Sequence, residues 1–550
     1  MHAAIYFQSD GYLLDGVQIV GRRMAGAAFL RAAVEGREGA ALHGFAPLEK
    51  SGDNFIAAVR AIDPAAQAAW IPGHRLDLLA KERILYRPDN LLGPHARLRL
   101  RAGPAAFSIC GVTHTISTDT ARSGLADMLA APVMGWDALI CTSDAARSVV
   151  TGILEAEADY QRWMGRETFR PDALQLPVIP LGVHSADLAG SAADRAAART
   201  SFDIGEDEVV FLFAGRLSFS AKAHPYQMLR ALQAVAERGG RRITLLQAGQ
   251  FSNPAGEAYY RQAVRDYCPD VRCLFVDGAL PASYRAGFAA ADVFLSLADS
   301  IQETFGLTPV EAMAAGLPAV VSDWNGYKDT VRDGVDGFRI RSWAPEPGSG
   351  NLMAVAYEAG LTGTEQYQSR ASTTVSIDMA QLVDRLAALA GDPDLRRRMG
   401  AAGEARARGD YDWAVIYRRY RNLWAELDAI REHALADPAT RAWLDRAPRA
   451  QAAHLDPHSS FAVYPTAHVG AATLVRLAPG MTLADYQALA ASQGFRMWKA
   501  PPEAIGRIFS ALAAGPRPIR DIAARAGIAP VMTIELASRL AKMNLVILGD

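Results

Sequence analysis

The chain has 550 residues, of which 50% are hydrophobic and 21% charged, and its formal net charge at pH 7 is −2. The length predicts about three domains, the composition predicts a globular protein, and the near-neutral charge gives no general reason to expect nucleic acid as a partner. The four cysteines lack the CxxC spacing of zinc and redox sites and are predicted to be reduced thiols. No signal-like start and no apolar run of ~20 residues is present, so we predict a cytoplasmic protein without a transmembrane segment.

Residues 1–183 alternate apolar runs with helical patterns. Strands are predicted at residues 3–7, 40–45, 107–113, 138–142 and 176–183, with intervening helices that include residues 22–34, 54–62 and 145–165. This alternation predicts a parallel sheet with helices on both faces. We therefore predict a Rossmann-like N-terminal domain over residues 1–183.

The same pattern restarts after residue 183. Strands are predicted at residues 209–214, 243–248, 271–276, 293–297 and 319–322, and helices at residues 225–237, 257–267 and 282–290. These elements predict a second Rossmann-like domain over residues 184–409. The predicted fold class is therefore α/β, with two doubly wound domains that face a cleft, the usual place for a ligand.

An aromatic seam marks a long helix after the second domain. Trp413, Tyr417, Tyr420, Trp424 and Leu427 follow one another at spacings of three and four residues. This spacing places them on one helix face, where core packing is the favoured interpretation over an aromatic ligand site. We predict that the helix, at about residues 410–432, crosses back and completes the N-terminal domain.

Residues 455–550 differ in pattern from the rest of the chain. Helices are predicted at residues 505–514, 519–527 and 531–543, and a short strand at residues 545–548. Residues 522–528 resemble the turn of a helix-turn-helix, and the segment resembles a winged helix. The helix after that turn offers mostly apolar residues, which disfavours DNA and favours protein interaction or dimerisation. The segment also resembles small winged-helix domains that hold peptide substrates for modifying enzymes.

Two carboxylates, Glu303 and Glu311, flank the sequence Thr-Phe-Gly-Leu-Thr-Pro-Val. Glu303 follows the predicted strand at residues 293–297, on the edge where parallel α/β sheets bind ligands. Thr308 to Glu311 have the form of a capping box with proline at the first helical position. From this pattern alone, Glu311 is either the acid that closes the helix start or a ligand group, and Glu303 is either a ligand group or an exposed loop carboxylate.

The sequence SIQETFGLTPVEAMAAGLP at residues 300–318 resembles the donor-site signature of retaining GT-B glycosyltransferases of the family-4 type. The resemblance implies that Glu303 lies beside the donor sugar and that Glu311 accepts hydrogen bonds from the nucleotide ribose. Backbone amides of Phe305, Gly306, Leu307 and Thr308 lead into a helix N-terminus, which suits phosphate oxygens.

Transfer from a nucleotide sugar builds negative charge on the leaving diphosphate, so fixed positive charge is needed beside it. Arg216 follows Gly215 at a strand end, Lys222 lies further along the same loop, and both match the family segment whose Arg and Lys contact the diphosphate. His114 lies where the family has a histidine near the donor sugar. Gly21 and Arg22 lie in the segment that corresponds to the loop covering donor and acceptor.

The resemblance therefore implies a retaining, metal-independent transferase of the hexosyltransferase type that uses a nucleotide-diphospho-sugar as donor and no other cofactor. The acceptor is unidentified among glycan, lipid-linked and peptide classes, and the oligomeric state stays open. The triplets Asp392-Pro-Asp394 and Asp410-Tyr-Asp412 flank predicted helices, and the first suits a turn or cap better than a metal site. An alternative of another class is a catalytically silent sensor or scaffold that binds a nucleotide sugar and acts through residues 455–550.

Overall fold

The computed structural model of the chain describes residues 1–14, 21–166, 174–219, 222–251, 253–498 and 500–549. The contacts within the chain divide it into two compact units, residues 1–451 and residues 452–550. The larger unit contains two parallel six-stranded sheets with helices, so the predicted α/β class with two doubly wound sheets is confirmed. All four cysteines are free thiols, as predicted.

The first sheet has the strand order β3-β2-β1-β4-β5-β6. Its strands are β1 Ala4–Tyr6, β2 Leu42–Ala46, β3 Ala68–Pro72, β4 Ile84–Tyr86, β5 Ser108–Val112 and β6 Ala138–Ile140. The accompanying helices are α1 Ser9–Tyr12, α2 Gly21–Glu35, α3 Glu49–Ile62, α4 Leu76–Glu82, α5 Leu92–Arg99, α6 Asp119–Asp127 and α7 Asp144–Trp163. The strands β3 and β4 were not among the predicted elements.

The strand predicted at residues 176–183 is wrong. This segment runs extended, and it meets the rest of the chain through isolated bridges such as the one between Cys141 and Val178. Pro177 and Pro180 have no backbone N–H to donate, so the segment cannot form a continuous ladder. It instead connects the two sheets as a linker.

The second sheet has the strand order β12-β11-β10-β7-β8-β9. Its strands are β7 Glu208–Ala214, β8 Arg242–Gly249, β9 Arg272–Asp277, β10 Val293–Ser296, β11 Ala319–Ser322 and β12 Gly337–Ile340. Its helices begin with α8 Ala192–Ser201, α9 Tyr226–Glu237, α10 Pro254–Tyr267, α11 Pro281–Ala290, α12 Leu307–Ala314 and α13 Tyr327–Thr330. Every strand and helix predicted for residues 209–322 is present, since these runs are long, apolar and bounded by clear breakers.

After β12, the chain forms a small ribbon and several helices outside the six-stranded sheet. A two-stranded ribbon, β13 Ser342–Trp343 and β14 Ser376–Ile377, encloses a helical hairpin of α14 Asn351–Glu358 and α15 Thr364–Ser372. The helices that follow are α16 Met379–Gly391, α17 Pro393–Arg406, α18 Trp413–Ala436 and α19 Pro438–Asp445. A π-helical turn over Ala407–Tyr411 joins α17 to α18.

The aromatic seam on α18 packs into the core of the first sheet. Trp413 and Trp424 are each only 1% exposed, and they share a cluster with Ile5, Phe29 and Tyr86. The interpretation of the seam as core packing is therefore confirmed. Helix α18, near the end of the larger unit, therefore packs against the sheet formed by the beginning of that unit.

The smaller unit holds a three-stranded antiparallel sheet and a helical cluster. Its elements are α20 Pro457–Ser460, β15 Leu474–Leu477, α21 Leu483–Ala491, α22 Pro502–Leu512, β16 Arg517–Pro518, α23 Ile519–Ala526, α24 Pro530–Lys542 and β17 Val546–Leu548, and the strand order is β16-β15-β17. The three predicted helices and the last strand are confirmed. Gly527 ends α23 in the left-handed conformation, with φ of 62°. The winged-helix interpretation itself stays a prediction.

Among the described residues, none of the helices combines the length and the apolar character that crossing a membrane requires.

Candidate functional site

The turn between β10 and α12 positions the carboxylates of Glu303 and Glu311. Gly306 has φ of +96°, and a Cβ at this position would lie 2.3 Å from the ring of Tyr327. Only glycine fits both the backbone conformation and the space. The close packing holds the start of α12 against Tyr327 of α13.

The predicted capping box at Thr308 to Glu311 is wrong. The N-cap of α12 is Gly306, which has no side chain to cap with, and Thr308 and Pro309 lie inside the helix. Glu311 lies one turn into α12, where its Oε2 accepts a 2.7 Å hydrogen bond from the hydroxyl of Tyr284 on α11. Glu311 is therefore held by a neighbouring helix rather than by its own helix start.

Lys222 and Glu303 form an ion pair at the carboxyl edge of the second sheet. The Lys222 Nζ lies 2.6 Å from a Glu303 carboxylate oxygen, and the side chains are 22% and 12% exposed. Burial alone would raise the pKa of Glu303, but the Lys222 charge and the backbone amides of Phe305 and Thr304 outweigh it, and the pKa lies below its ordinary value. Burial likewise opposes the charge on Lys222, yet Glu303 raises its pKa above the ordinary value.

Arg216 adds a second positive charge to this edge. It follows Gly215 at the end of β7 and is half-buried, and burial lowers its pKa while the carboxylates of Glu303 and Glu365 act in the opposite direction. In the part of the chain that the structure describes, its guanidinium has no hydrogen-bond or ion-pair partner. Its five donors are thus available to an anion, and a guanidinium matches phosphate geometry.

The first sheet meets the Glu303 loop directly. The Thr304 hydroxyl donates to the backbone carbonyl of His114, which follows β5. The Ser143 hydroxyl, at the start of α7, donates a 2.5 Å hydrogen bond to the Thr304 carbonyl. Residues from both domains therefore converge around Glu303, and His114 lies on the same edge.

One of the backbone amides predicted to bind phosphate already has a partner within the protein. The amide of Phe305 hydrogen-bonds the Glu303 carboxylate, while Gly306, Leu307 and Thr308 form the opening turn of α12. The first amides of a helix lack partners within the helix and carry its positive dipole end. This turn lies beside the pair of Lys222 and Glu303, where an anion would be stabilised.

Residues 194–346 match the family described as Glycosyl transferases group 1. Over these residues the chain is therefore similar to the group 1 glycosyl transferases. The matched segment contains Arg216, Lys222, Glu303 and Glu311, and it ends before the hairpin of α14 and α15. This glycosyl transferase segment thus supplies the second-sheet half of the site.

Curated relatives match parts of the chain. A D-inositol 3-phosphate glycosyltransferase from Nocardia farcinica is 28% identical over 254 residues, 45% of this chain and 47% of the relative. A lipopolysaccharide 1,2-N-acetylglucosaminetransferase from Salmonella typhimurium is 27% identical over 178 residues, 31% of this chain and 44% of the relative. The chain thus spans about half the length or less of these curated relatives.

A solved structure shares the fold of the chain. The crystal structure of a glycosyltransferase from Rickettsia africae matches with a TM-score of 0.51 at 11% identity, over 75% of this chain and 96% of the other. At this identity the likeness concerns the fold alone.

The N-terminal loop prediction falls largely outside the described residues. Residues 15–20 and the side chain of Arg22 are not described, and Gly21 is the first residue of α2. The structure does describe the aspartate triplets: Asp392 caps α17, as predicted, and Asp412 caps α18. Within the described ranges, no group of three or more His, Cys, Asp or Glu is arranged to hold a metal ion.

Sequence reasoning missed several side chains of the site. Tyr284 reaches Glu311 from a helix 27 residues earlier, and Asn325 donates to the Glu303 carbonyl from the turn after β11. Tyr367 on α15 lines a pocket that Glu303 also borders. These contacts depend on the packing of elements that are distant in the sequence, so no local pattern predicts them.

Proposed function

We propose that this protein is a glycosyltransferase that moves a sugar from a nucleotide-diphospho-sugar to an acceptor hydroxyl or similar nucleophile. The observation that carries the proposal is the grouping of Arg216, Lys222 and Glu303 at the carboxyl edge of the second sheet, beside the first turn of α12. Two cations and a helix N-terminus suit the diphosphate of the donor. The same groups would stabilise the charge that develops as the diphosphate leaves.

Each side chain has a role in this proposal. Arg216 and Lys222 bind the diphosphate, together with the amides of Gly306, Leu307 and Thr308. Glu303 contacts the donor sugar, and Lys222 orients its carboxylate. Tyr284 positions Glu311, whose acceptor-only carboxylate binds the ribose hydroxyls.

The remaining side chains act from the first domain. His114 contacts hydroxyls of the donor sugar from the edge of the first sheet. Gly21 and Arg22 belong to the segment that covers the donor and the acceptor.

We propose that the reaction retains the configuration at the anomeric carbon and needs no metal. The bond between the anomeric carbon and the phosphate oxygen breaks as the bond to the acceptor oxygen forms on the same face of the sugar. The leaving phosphate oxygen takes the proton of the acceptor hydroxyl. Arg216 and Lys222 supply the charge that holds the phosphate during this exchange.

The test is release of free nucleoside diphosphate from a panel of UDP-, GDP-, ADP- and TDP-sugars, with and without a chelator. We expect slow hydrolysis of one donor in the presence of chelator, and its loss in Arg216→Ala and Glu303→Ala. Arg398→Ala, on the exposed side of α17, is the matched control and should retain activity. Donor binding without turnover in any condition would instead favour the sensor or scaffold function, and the absence of both would refute the proposal.

The anomeric configuration of the product, read by NMR, tests retention separately. An inverted product would contradict the proposed same-face reaction while leaving the donor site assignment intact. Removal of residues 455–550 tests the peptide-holding interpretation of the smaller unit. If that interpretation holds, donor hydrolysis survives the truncation and affinity for a peptide acceptor is lost.

A further inference from the structure

A pocket of about 330 Å³ opens beside Glu303. Its volume lies in the range of small-molecule sites. Most of its wall area is apolar and comes from side chains such as Ile116, Val149, Ile153, Ile301, Trp324 and Tyr367, while Ser117, Arg122, Glu303, Thr304 and Asn325 supply its polar part. A sugar hydroxyl placed against the apolar part of the wall would lose hydrogen bonds to water without replacement, so this part suits a hydrocarbon group and the polar part suits a polar head group.

The helical hairpin outside the family match closes one side of this pocket. Tyr367 on α15 forms part of the wall, and the next residue, Gln368, donates a 2.8 Å hydrogen bond to the Ser117 hydroxyl of the first domain. The Tyr357 hydroxyl on α14 accepts a 3.1 Å hydrogen bond from the amide of Asp119. The hairpin, which follows the second sheet in the chain, is thus hydrogen-bonded to the first domain, and the Tyr367 side chain lines the pocket.

The apolar lining continues out of the pocket along α7. Val149 and Ile153 lie in the pocket wall, and Tyr160 and Trp163 follow on the same helix face at spacings of seven and three residues. We name these four residues the α7 stripe. Val149, Tyr160 and Trp163 are 46%, 50% and 78% exposed. The stripe spans about 20 Å along the helix.

The α7 stripe is separate from the face that packs the core. The core side of the helix carries Val150, Leu154 and Ala158, which are buried. A third side of the helix carries charged groups such as Glu155 and Arg162. An exposed apolar track of this length is unusual on a protein surface and marks a binding site.

We infer that the pocket and the α7 stripe bind the hydrocarbon chain of a lipid-linked acceptor. The inference rests on the proposed transferase function, because the pocket is bordered by Glu303, which that proposal places beside the donor sugar. A chain lying along the stripe enters the pocket and directs the attached head group towards Glu303. A narrow track that ends in a pocket beside the reacting groups fits a chain better than it fits a globular partner, which would need a broad apolar face with a polar rim.

The first test measures binding of dodecyl maltoside, below its micelle concentration, to the full chain by isothermal titration calorimetry. We expect one saturable site per chain, with maltose at least about tenfold weaker. Octyl maltoside should bind with intermediate affinity, because each further methylene gains burial along the stripe. Equal affinities for the octyl and dodecyl compounds would overturn the assignment of the stripe.

Matched substitutions test whether dodecyl maltoside binds along α7. Val149→Ser and Trp163→Ser should each weaken dodecyl maltoside binding by about tenfold, the order expected for losing a buried apolar side chain. Val335→Ser and Trp443→Ser are the controls, since these side chains are 46% and 53% exposed elsewhere, and they should leave binding unchanged. Circular dichroism verifies that each variant folds. Equal losses in the α7 variants and the controls, or none in either, would overturn the inference.

Nucleotide-sugar binding, measured on the same preparation, separates this inference from the proposed function. Donor binding without dodecyl maltoside binding would refute the lipid-linked acceptor and leave the transferase function standing. Dodecyl maltoside binding without donor binding would refute the transferase function, and with it the assignment of the bound chain as part of an acceptor. Tight binding of an apolar peptide that displaces dodecyl maltoside from α7 would assign the stripe to a peptide instead.

Discussion

The hydroxyl of Tyr284 on α11 donates a 2.7 Å hydrogen bond to the carboxylate of Glu311 on α12. Burial raises the pKa of Glu311 above its ordinary value, and this hydrogen bond acts in the opposite direction. The bond thus helps to keep Glu311 ionised and fixes its orientation. In the proposed function, that carboxylate accepts the ribose hydroxyls of the donor.

Tyr284→Phe tests this positioning role. Removal of the donor raises the pKa of Glu311 further, so the carboxylate becomes protonated at a higher pH than in the wild type. We expect the KM for the donor to rise by about tenfold, the cost of one hydrogen bond to a charged group, with a smaller effect on kcat. The pH below which KM increases should move upwards. An unchanged pH profile of KM would contradict the role, and Tyr464→Phe, at a tyrosine that is 76% exposed, is the control.

The pair of Lys222 and Glu303 is expected to be essential for turnover. Lys222→Met should lower kcat for donor hydrolysis by about 10²–10³-fold, because the leaving diphosphate loses a positive charge. It also leaves the Glu303 carboxylate unpaired, at a cost to folding of about 3–5 kcal/mol. Denaturant unfolding and steady-state kinetics measure the two effects separately. In the double variant Lys222→Met, Glu303→Gln, stability should recover in part while activity stays low.

The pH dependence of the pair follows from the two shifted groups. The pKa of Glu303 is lowered, so the stabilisation is present above its ordinary pKa of about 4.3 and is lost as the pH falls through the folded value. The pKa of Lys222 is raised, so the stabilisation is present below about 10.4 and is lost as the pH rises through the folded value. Between these limits we expect the difference in stability between the wild type and the double variant to be constant. A slope near neutral pH would contradict this.

Gly306→Ala should destabilise the protein and abolish donor hydrolysis. The added Cβ would meet the Tyr327 ring at 2.3 Å, at a backbone φ of +96°. Gly348 has the same φ of +96° but open space around it, so Gly348→Ala is a matched control. Gly348→Ala should lower the free energy of unfolding only by the cost of placing alanine in a left-handed backbone conformation, about 1–2 kcal/mol. Equal destabilisation of the two variants in denaturant unfolding would show that the contact with Tyr327 is unimportant.

The second sheet was predictable apart from β12, Gly337–Ile340, because its other strands are explicit in the sequence. Val293–Ser296 and Ala319–Ser322 are each apolar except for a final serine and are wholly buried, and helix or turn breakers flank them. In the first sheet, Ile84–Tyr86 has only three residues, and Ala68–Pro72 is an edge strand that is only partly buried. Such strands owe their existence to neighbours in the sheet, so local patterns do not reveal them.

The sequence predicted the site residues that belong to a local motif. It did not predict those that reach the site through the packing of distant elements. Arg216, Lys222 and Glu303 were named from the sequence, and the structure brings them to one edge. The capping box at Thr308 failed because the positive φ of Gly306 starts the helix two residues earlier. The contact of Tyr284 with Glu311, and the pocket wall formed by Tyr367, join elements that are far apart in the chain.

Asp299 lies just beyond the carboxyl end of β10, the strand before Glu303. One of its carboxylate oxygens is buried without a partner, and burial raises its pKa to about 7, against hydrogen bonds from the His224 amide and the Ser372 hydroxyl. An acid whose folded pKa is raised contributes stability that is fully present below its unfolded pKa of about 3.9, and this stability is lost as the pH rises through the folded value. The folded state therefore tolerates Asp299 best when it is protonated.

Asp299→Asn removes the ionisation and keeps the shape of the side chain. Its advantage in Tm over the wild type should grow between about pH 4 and about pH 7, and it should level off above that value. A gain of several degrees is expected at pH 8, since about 1 kcal/mol corresponds to about 2–4 °C in a domain of this size. Asp445→Asn, on the exposed surface of α19, is the control and should show no such growth. A difference in Tm that is the same at pH 5 and pH 8 would mean that Asp299 does not titrate in this range in the folded protein.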